Sequence, residues 1–341
     1  MSRRSEARRS MHSANSLLGG SKSTCVIRKA ECKKIIDWCF SHGYPIGSLA
    51  EITAPMVSEY LKISVYINDD QTAMSNEISV ATIHNKLAVI RRSMSALGIN
   101  PDNKGITAKE LGLPPRSRQG TKLPIPDEQF MEAIKKAEDI GEHGFALMLK
   151  LERYLGLRGQ ESLMSIPALK AYAKEIHDVL ADSDLPDIRV VDGTKGGRPR
   201  RVQWVKRFAR ESLDAMAEAL DYAAHHGNFL LHGKNEGLKA ARSLYHRLAR
   251  TVGLVGVYAP HSLRYAYAVD KIKELYADGY SRQEALAITA GLLGHGASRA
   301  RYVTQVYGKT IVHTLPQTRR RNTLQQAAMD LAKLAASLDN R

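Results

Sequence analysis

Between Pro114 and Pro126 the chain reads PPRSRQGTKLPIP, and its four prolines and lone glycine deny this stretch a helix or a sheet of its own. It reads as a stiff, polar, basic linker over 114–126 that splits the chain into two folding units. The flanking lengths, 25–113 and 127–341, are each long enough to bury a core in a chain of 341 residues that is 43% hydrophobic and 25% charged.

Ahead of the linker the apolar residues recur at helical steps. Ile27 to Phe40 form one stripe, and Thr53-Ala54-Pro55 opens a second helix with proline in its first turn. Ser79 suits an N-cap for a third, in which Ile83, Leu87, Ile90, Met94 and Leu97 repeat until Gly98 stops them. The pattern predicts a small helical bundle. Cys25, Cys32 and Cys39 fall seven apart, which stacks them on one helical face about 10 Å from each other. That is too far for a shared metal or a local disulfide, so they read as small buried residues in a reducing compartment. Residues 1–24 are Ser-rich and basic, with Arg3, Arg4, Arg8 and Arg9, and read as a disordered arm, either a solvated tail or a strand laid on phosphates.

Beyond the linker Asp127 is a candidate N-cap for a helix through Phe130, Ile134 and Ala137. A second apolar helix, Phe145 to Leu155, runs into Gly156-Leu157-Arg158. Around Ile188, Val190, Val191 and then Val202, Trp204, Val205 the period shortens, which predicts a small hairpin whose turn carries Gly193 to Gly197 and Lys195. Helices then resume: an amphipathic segment over 238–252, another from His261 to Tyr276, and a third that the capping box Ser281-Arg282-Gln283-Glu284 starts and Gly291 and Gly294 close. A last stripe, Leu324, Ala328, Leu331, Leu334 and Leu338, predicts a terminal helix that packs on its own domain or docks on a neighbour. The expected class is mainly α with a small antiparallel β-sheet (α+β).

Lys and Arg number 50 against 35 Asp and Glu, a formal charge of +15, which is the electrostatic footprint of a polyanion binder. Lys86, Arg91 and Arg92 lie off the apolar stripe of the third helix, and Arg116 and Arg118 sit in the linker. Arg198, Arg200 and Arg201 flank the hairpin turn, with Lys206, Arg207 and Arg210 close behind. Singly these are ordinary solvated charges; together they are candidates for contact with DNA phosphates or a groove. No apolar run approaches the roughly 20 residues needed to span a bilayer, and the basic N-terminus has no signal-peptide core behind it. The expectation is a cytoplasmic, nucleoid-associated protein without a membrane partner.

Six residues in the second unit carry chemistry. Arg158 in LGLRGQE, Lys195 in GTKGGRPR, His261 and Arg264 in HSLR, His295 in LLGH and Tyr307 in TQVYGK supply two guanidiniums, two imidazoles, an ammonium and a phenol. An arginine fork meets the non-bridging oxygens of a phosphodiester with two charge-assisted hydrogen bonds as negative charge gathers there. A tyrosine, with a reference pKa of about 10, is a weak nucleophile until a base or a positive field helps remove its proton, and His261 is the candidate for that help. The departing deoxyribose oxygen needs a proton, which Lys195 on its flexible stem can supply. His295 can donate to the same phosphate. His261 and Arg264, three apart, share a helical face, and Glu161, three after Arg158, can hold its guanidinium. Taken one at a time, each also has an ordinary reading as a surface arginine, a basic hairpin turn or a helix stopped by glycine.

The order of these residues, from Arg158 through the turn lysine, HxxR and LGH to Tyr307, resembles the tyrosine recombinase (phage integrase) family. That resemblance implies a helical, SAM-like core-binding domain over 25–113, closed by ATIHNKLAVIRRSMSALGINP, and a catalytic domain over 127–341. The two would form a C-shaped clamp on double-stranded DNA. It further implies cleavage through a 3′-phosphotyrosyl link and a free 5′-hydroxyl without metal, ATP or other cofactor, and a homotetramer on paired sites. The nucleophile's spacing departs from the family pattern, which places it farther from the LGH histidine than Tyr302 and nearer than Tyr307. The string Thr304-Gln305-Val306-Tyr307 resembles the family's T-Q-x-Y and favours Tyr307. Five helical residues turn a side chain by about 500°, so the two tyrosines lie roughly 140° apart and only one can face a phosphate. Two other readings share these residues: a type IB topoisomerase, and a DNA-binding relative that kept the fold and lost cleavage. Gly308-Lys309-Thr310 mimics the end of a nucleotide phosphate loop, but Val303 stands where its first glycine is needed. A metal-dependent integrase with three carboxylates would leave the arginine and histidine set unexplained.

Overall fold

In a computed structural model of the chain the described residues are 2–63, 78–117, 119–177, 185–233, 237–296 and 299–316. They fall into two units, residues 1–117 and 118–341, divided inside the proline-rich stretch. Helices dominate both, and the described residues contain one two-stranded sheet.

The first unit holds α1 (Arg3–Leu18), α2 (Lys22–Ser41), α3 (Ala54–Ile63) and α4 (Val80–Ala96). Serines set three of the starts: the hydroxyls of Ser2, Ser21 and Ser79 accept from the backbone N–H groups of Ser5, Thr24 and Thr82, satisfying donors that a helix N-terminus leaves open. Ile35, Ile36 and Cys39 of α2 pack with Val57 and Leu61 of α3 and with Ile83, Leu87, Ile90 and Met94 of α4. Cys32 and Cys39 are buried and unbridged as expected, while Cys25 is half-buried and Ile27, expected to open the buried stripe, is exposed.

The N-terminal arm is corrected. Residues 3–18 form α1, and Ala7, Met11 and Ala14 bury against the bundle at helical steps. The stripe is thin and built of small residues, so it gives a weak signal amid serines and arginines. Three of those arginines are also spoken for: Arg3 meets Glu51 at 2.5 Å, and Arg4 and Arg8 converge on Asp37 at 2.7 and 3.2 Å.

The second unit runs α5 (Asp127–Asp139), α6 (His143–Leu155), α7 (Gly159–Leu163), α8 (Ile166–His177), β1 (Ile188–Val190), β2 (Arg200–Val202), α9 (Ala209–His226), α10 (Leu238–Thr251), α11 (His261–Ala277), α12 (Arg282–Leu292) and α13 (Ala300–Val306). Of these, α8 and α9 were not among the expected elements. β1 and β2 are antiparallel, with Ile188 opposite Val202 and Val190 opposite Arg200. One core gathers α5, α6, α8, α9 and α10 with the hairpin, and a second gathers α11, α12 and α13 around Tyr267 and Tyr307.

Two further expectations change. Asp127 does not cap α5; it is the first helical residue after Pro126, and its carboxylate instead takes Arg153 and Arg207, both at 2.9 Å. Nor is the second half of the linker free. Gly120 N–H donates to the Gln305 carbonyl at 3.2 Å, Leu123 N–H to Val257 at 3.1 Å and Ile125 N–H to Ser262 at 3.4 Å, and the Ile125 side chain is buried in the core. The backbone there finds partners outside regular structure, as a chain lying on a protein surface must. Arg118, the Arg319 to Arg321 cluster and the terminal stripe from Leu324 to Leu338 lie outside the described residues. No helix among the described residues is long and apolar enough to cross a membrane.

Candidate active site

The site is built around one carboxylate. Glu161, in the first turn of α7, is 0% exposed. It accepts from the Arg158 backbone N–H at 2.8 Å and from Arg158 Nη1 at 2.5 Å, and from Arg200 Nη2 at 2.6 Å and Nε at 3.3 Å. Arg264 Nη1 lies 3.9 Å away. The guanidiniums also reach carbonyls left open where helices end. Arg158 donates to Leu293 at 3.0 Å, Arg200 to Gly156 at 3.1 Å and to Leu292, and Arg264 to both Gly156 and Leu293. The negative ends of α6 and α12 thus converge on three cations.

Three guanidiniums facing one carboxylate leave the cluster with surplus positive charge. Burial alone would raise the Glu161 pKa, but the Arg200 hydrogen bond and the charges of Arg200, Arg264 and Arg158 overcome it and bring it to about 2. Arg264, 1% exposed, is pushed down to about 10, by burial first and by the charge of Arg200 second. Its Nε has no hydrogen-bond partner among the described residues. An anion arriving here would relieve both effects.

Glycines let the helix ends come this close. Gly156 ends α6 at φ +62°, and a Cβ there would stand 2.4 Å from a Tyr267 ring carbon.

Tyr307 caps the C-terminal end of α13 and is 2% exposed. Its hydroxyl lies 3.2 Å from His261 Nε2 and 3.3 Å from His295 Nε2, and the Arg264 guanidinium sits 5.9 Å from its ring centroid. Burial, and then Arg264, Arg158 and Lys122, lower His261 to about 4, although one part of the residue stays open to solvent. Burial, and then Arg264, Arg158, Arg299 and His261, lower His295 to about 3. Both rings are therefore neutral at pH 7, and a neutral imidazole has one nitrogen free to accept a proton. Tyr302 is half-buried, with its ring 4.8 Å from that of His295 and 6.2 Å from that of Tyr307.

Five of the six residues singled out for chemistry, Arg158, His261, Arg264, His295 and Tyr307, thus come together. Lys195 does not join them: it stands exposed on the hairpin turn. That turn is nonetheless anchored beside the cluster, because Gly193, at φ +73°, comes so close that a Cβ would lie 2.5 Å from the Gln160 carbonyl oxygen.

The expected DNA-facing cations divide. Arg92, Arg198 and Arg201 are exposed, and Arg116 is exposed while bonded to Asn85 at 3.0 Å. Arg91 instead pairs with Asp102 at 2.7 Å and donates to the Ile106 carbonyl. Lys86 is largely buried, 3.9 Å from Glu31 and over the Tyr60 ring. Arg200 is the clearest correction: 8% exposed, it belongs to the arginine cluster and not to an outer basic face. The signal for it was the strand alternation that puts Arg200 on the same side as Val202.

The sequence model of the integrase family matches residues 112–270, which include Arg158, Lys195, His261 and Arg264 and stop before His295 and Tyr307. No curated protein sequence matches the chain. Among solved structures, the XerH site-specific recombinase bound to a palindromic difH substrate, in a post-cleavage complex, is 17% identical with a TM-score of 0.50, over 85% of this chain and 78% of that one. The Tn1549 transposon integrase in complex with circular intermediate DNA is 12% identical with a TM-score of 0.50, over 96% of this chain and 99% of that one. At such identities the likeness is one of fold, and it agrees with the sequence match on which fold this is. Over residues 112–270 the chain is thus similar in sequence to the integrase family, and its fold is that of the tyrosine recombinases.

Proposed function

We propose that the protein is a site-specific DNA recombinase that breaks and rejoins DNA through Tyr307. One observation carries this: a phenol hydroxyl lies within 3.3 Å of two histidine nitrogens, beside a buried cluster of arginines with charge to spare. In the reaction the Tyr307 oxygen attacks the phosphorus and its proton passes to His261. The bond to the 5′-oxygen breaks, leaving the phosphate joined to the protein through a 3′-phosphotyrosyl ester, and Lys195 protonates the departing oxygen. Arg158 and Arg264 meet the non-bridging oxygens as charge builds there, and His295 donates its N–H to one of them. The ester conserves the energy of the broken bond, so a 5′-hydroxyl from another strand can reverse the step without ATP. Tyr307 and the two histidines belong to one chain, which favours cleavage in cis. The DNA-bound states of the XerH and Tn1549 proteins favour DNA as the substrate.

A suicide substrate nicked near its target tests the proposal. Wild type and Tyr302→Phe should form a covalent adduct and Tyr307→Phe should not. An adduct that disappears only with Tyr302→Phe would move the nucleophile. No adduct from wild type would favour a DNA-binding relative without cleavage, and relaxation of supercoiled DNA of any sequence would favour a topoisomerase.

A further inference from the structure

The segment from Gln119 to Ile125 is more than a connection. Gly120 N–H donates to the carbonyl of Gln305 at 3.2 Å, and the Lys309 ammonium donates back to the Gly120 carbonyl at 2.5 Å. The two ties fall two residues either side of Tyr307. Farther along, Lys122 Nζ reaches the Gly256 carbonyl at 2.6 Å, and Leu123 and Ile125 bond the backbone just before and at the start of α11, which carries His261. A single stretch of irregular backbone therefore ties the nucleophile's segment to the element that bears its base.

Space at Gly120 is the sharper observation. A Cβ there would stand 2.5 Å from the Tyr265 hydroxyl, 2.5 Å from the Val306 carbonyl oxygen and 3.0 Å from Val306 Cα. Gly120 has no positive φ, so an alanine would be allowed by its backbone and excluded only by its neighbours. Those neighbours lead straight to the site. Val306 precedes Tyr307, and the Tyr265 ring lies 4.7 Å from the Tyr307 ring and 5.6 Å from that of His261.

We propose that residues 119–125 act as a positioning strap, with Gly120 letting it lie close enough to hold Tyr307 against His261 and His295. This rests on Tyr307 being the nucleophile. The strap leaves the cations to bind DNA and sets only the place of the attacking oxygen, so its loss should slow the chemical step and spare binding. A displacement of about 1 Å at a reacting atom can cost on the order of 100-fold in rate.

Single-turnover cleavage of the suicide substrate by the full chain reads this out. Gly120→Ala should lower the rate by about 100-fold, with DNA affinity close to wild type. Lys309→Met, which removes one tie without crowding anything, should lower it less and in the same sense, and it carries the test if Gly120→Ala does not fold. A substrate with sulfur in place of the bridging 5′-oxygen needs no proton on its leaving group. It should restore Lys195→Ala and leave Gly120→Ala slow. Wild-type rates for Gly120→Ala, or its rescue by the sulfur substrate, would overturn the strap. Loss of the adduct from wild type, or its survival in Tyr307→Phe, would instead overturn the nucleophile assignment.

Discussion

Arg200 and Arg201 are neighbours in sequence and opposites in consequence. On β2 the first turns inward to Glu161 while the second stays in solvent. Truncating Arg200 would leave a buried carboxylate short of a partner, a kind of loss that costs about 3–5 kcal/mol, whereas Arg201→Ala should change stability by no more than about 0.5 kcal/mol. Urea unfolding of the two variants checks this, and equal midpoints would count against an inward role for Arg200. His295 gives a second residue-scale expectation. Its folded pKa of about 3 lies below the ordinary histidine value, so as pH falls through about 6.5 the unfolded chain takes up the proton first. Stability is thus full above about pH 7 and is lost as pH drops, and His295→Gln should flatten the change in urea midpoint between pH 7 and 5. The Arg158–Glu161 pairing could be read from sequence because three residues on one helical turn are fixed by local geometry. Arg200 could be misread because a run of basic residues suggests a surface, even though the alternation of its strand said otherwise.

At the scale of elements, strongly periodic helices were legible and thinly marked ones were not. The Ser281 capping box forms as its spacing requires, with Ser281 accepting from the Glu284 N–H and Glu284 from the Ser281 N–H. Ser281→Ala should cost about 1 kcal/mol by thermal or urea unfolding. α1 was missed because its buried stripe is two alanines and a methionine, too little apolar mass to stand out before the bundle it packs on is known. Met11→Ala should lower the stability of the first unit by about 2 kcal/mol or more if that stripe is core, and by almost nothing if the segment were an arm. The linker misled for a related reason. Four prolines in thirteen residues leave no room for a helix or strand of their own, but they do not exclude a chain laid against a domain by isolated backbone bonds, which leaves no period to read.

For the whole molecule, net charge announced a polyanion partner but could not say which cations meet it. The formal +15 counts every lysine and arginine alike. Folding sorts them: Lys86 and Arg91 are engaged by Glu31 and Asp102, and Arg200 is buried, while Arg92, Arg198 and Arg201 remain exposed. Only an exposed cation can displace counterions from DNA, so the salt dependence of binding should follow exposure and not the formal count. Each phosphate contact removed lowers the slope of log K against log salt by about 0.9. Arg198→Ala and Arg201→Ala should each reduce it by up to about that amount, with affinity falling similarly on specific and unrelated duplexes. Lys86→Met should leave the slope unchanged, because that ammonium already lies over Tyr60 beside Glu31. Fluorescence anisotropy across a salt series separates the two cases. If Lys86→Met removed as much slope as Arg201→Ala, the ion pairs of the first unit would have to open on DNA, and its buried cations would count among the binding residues after all.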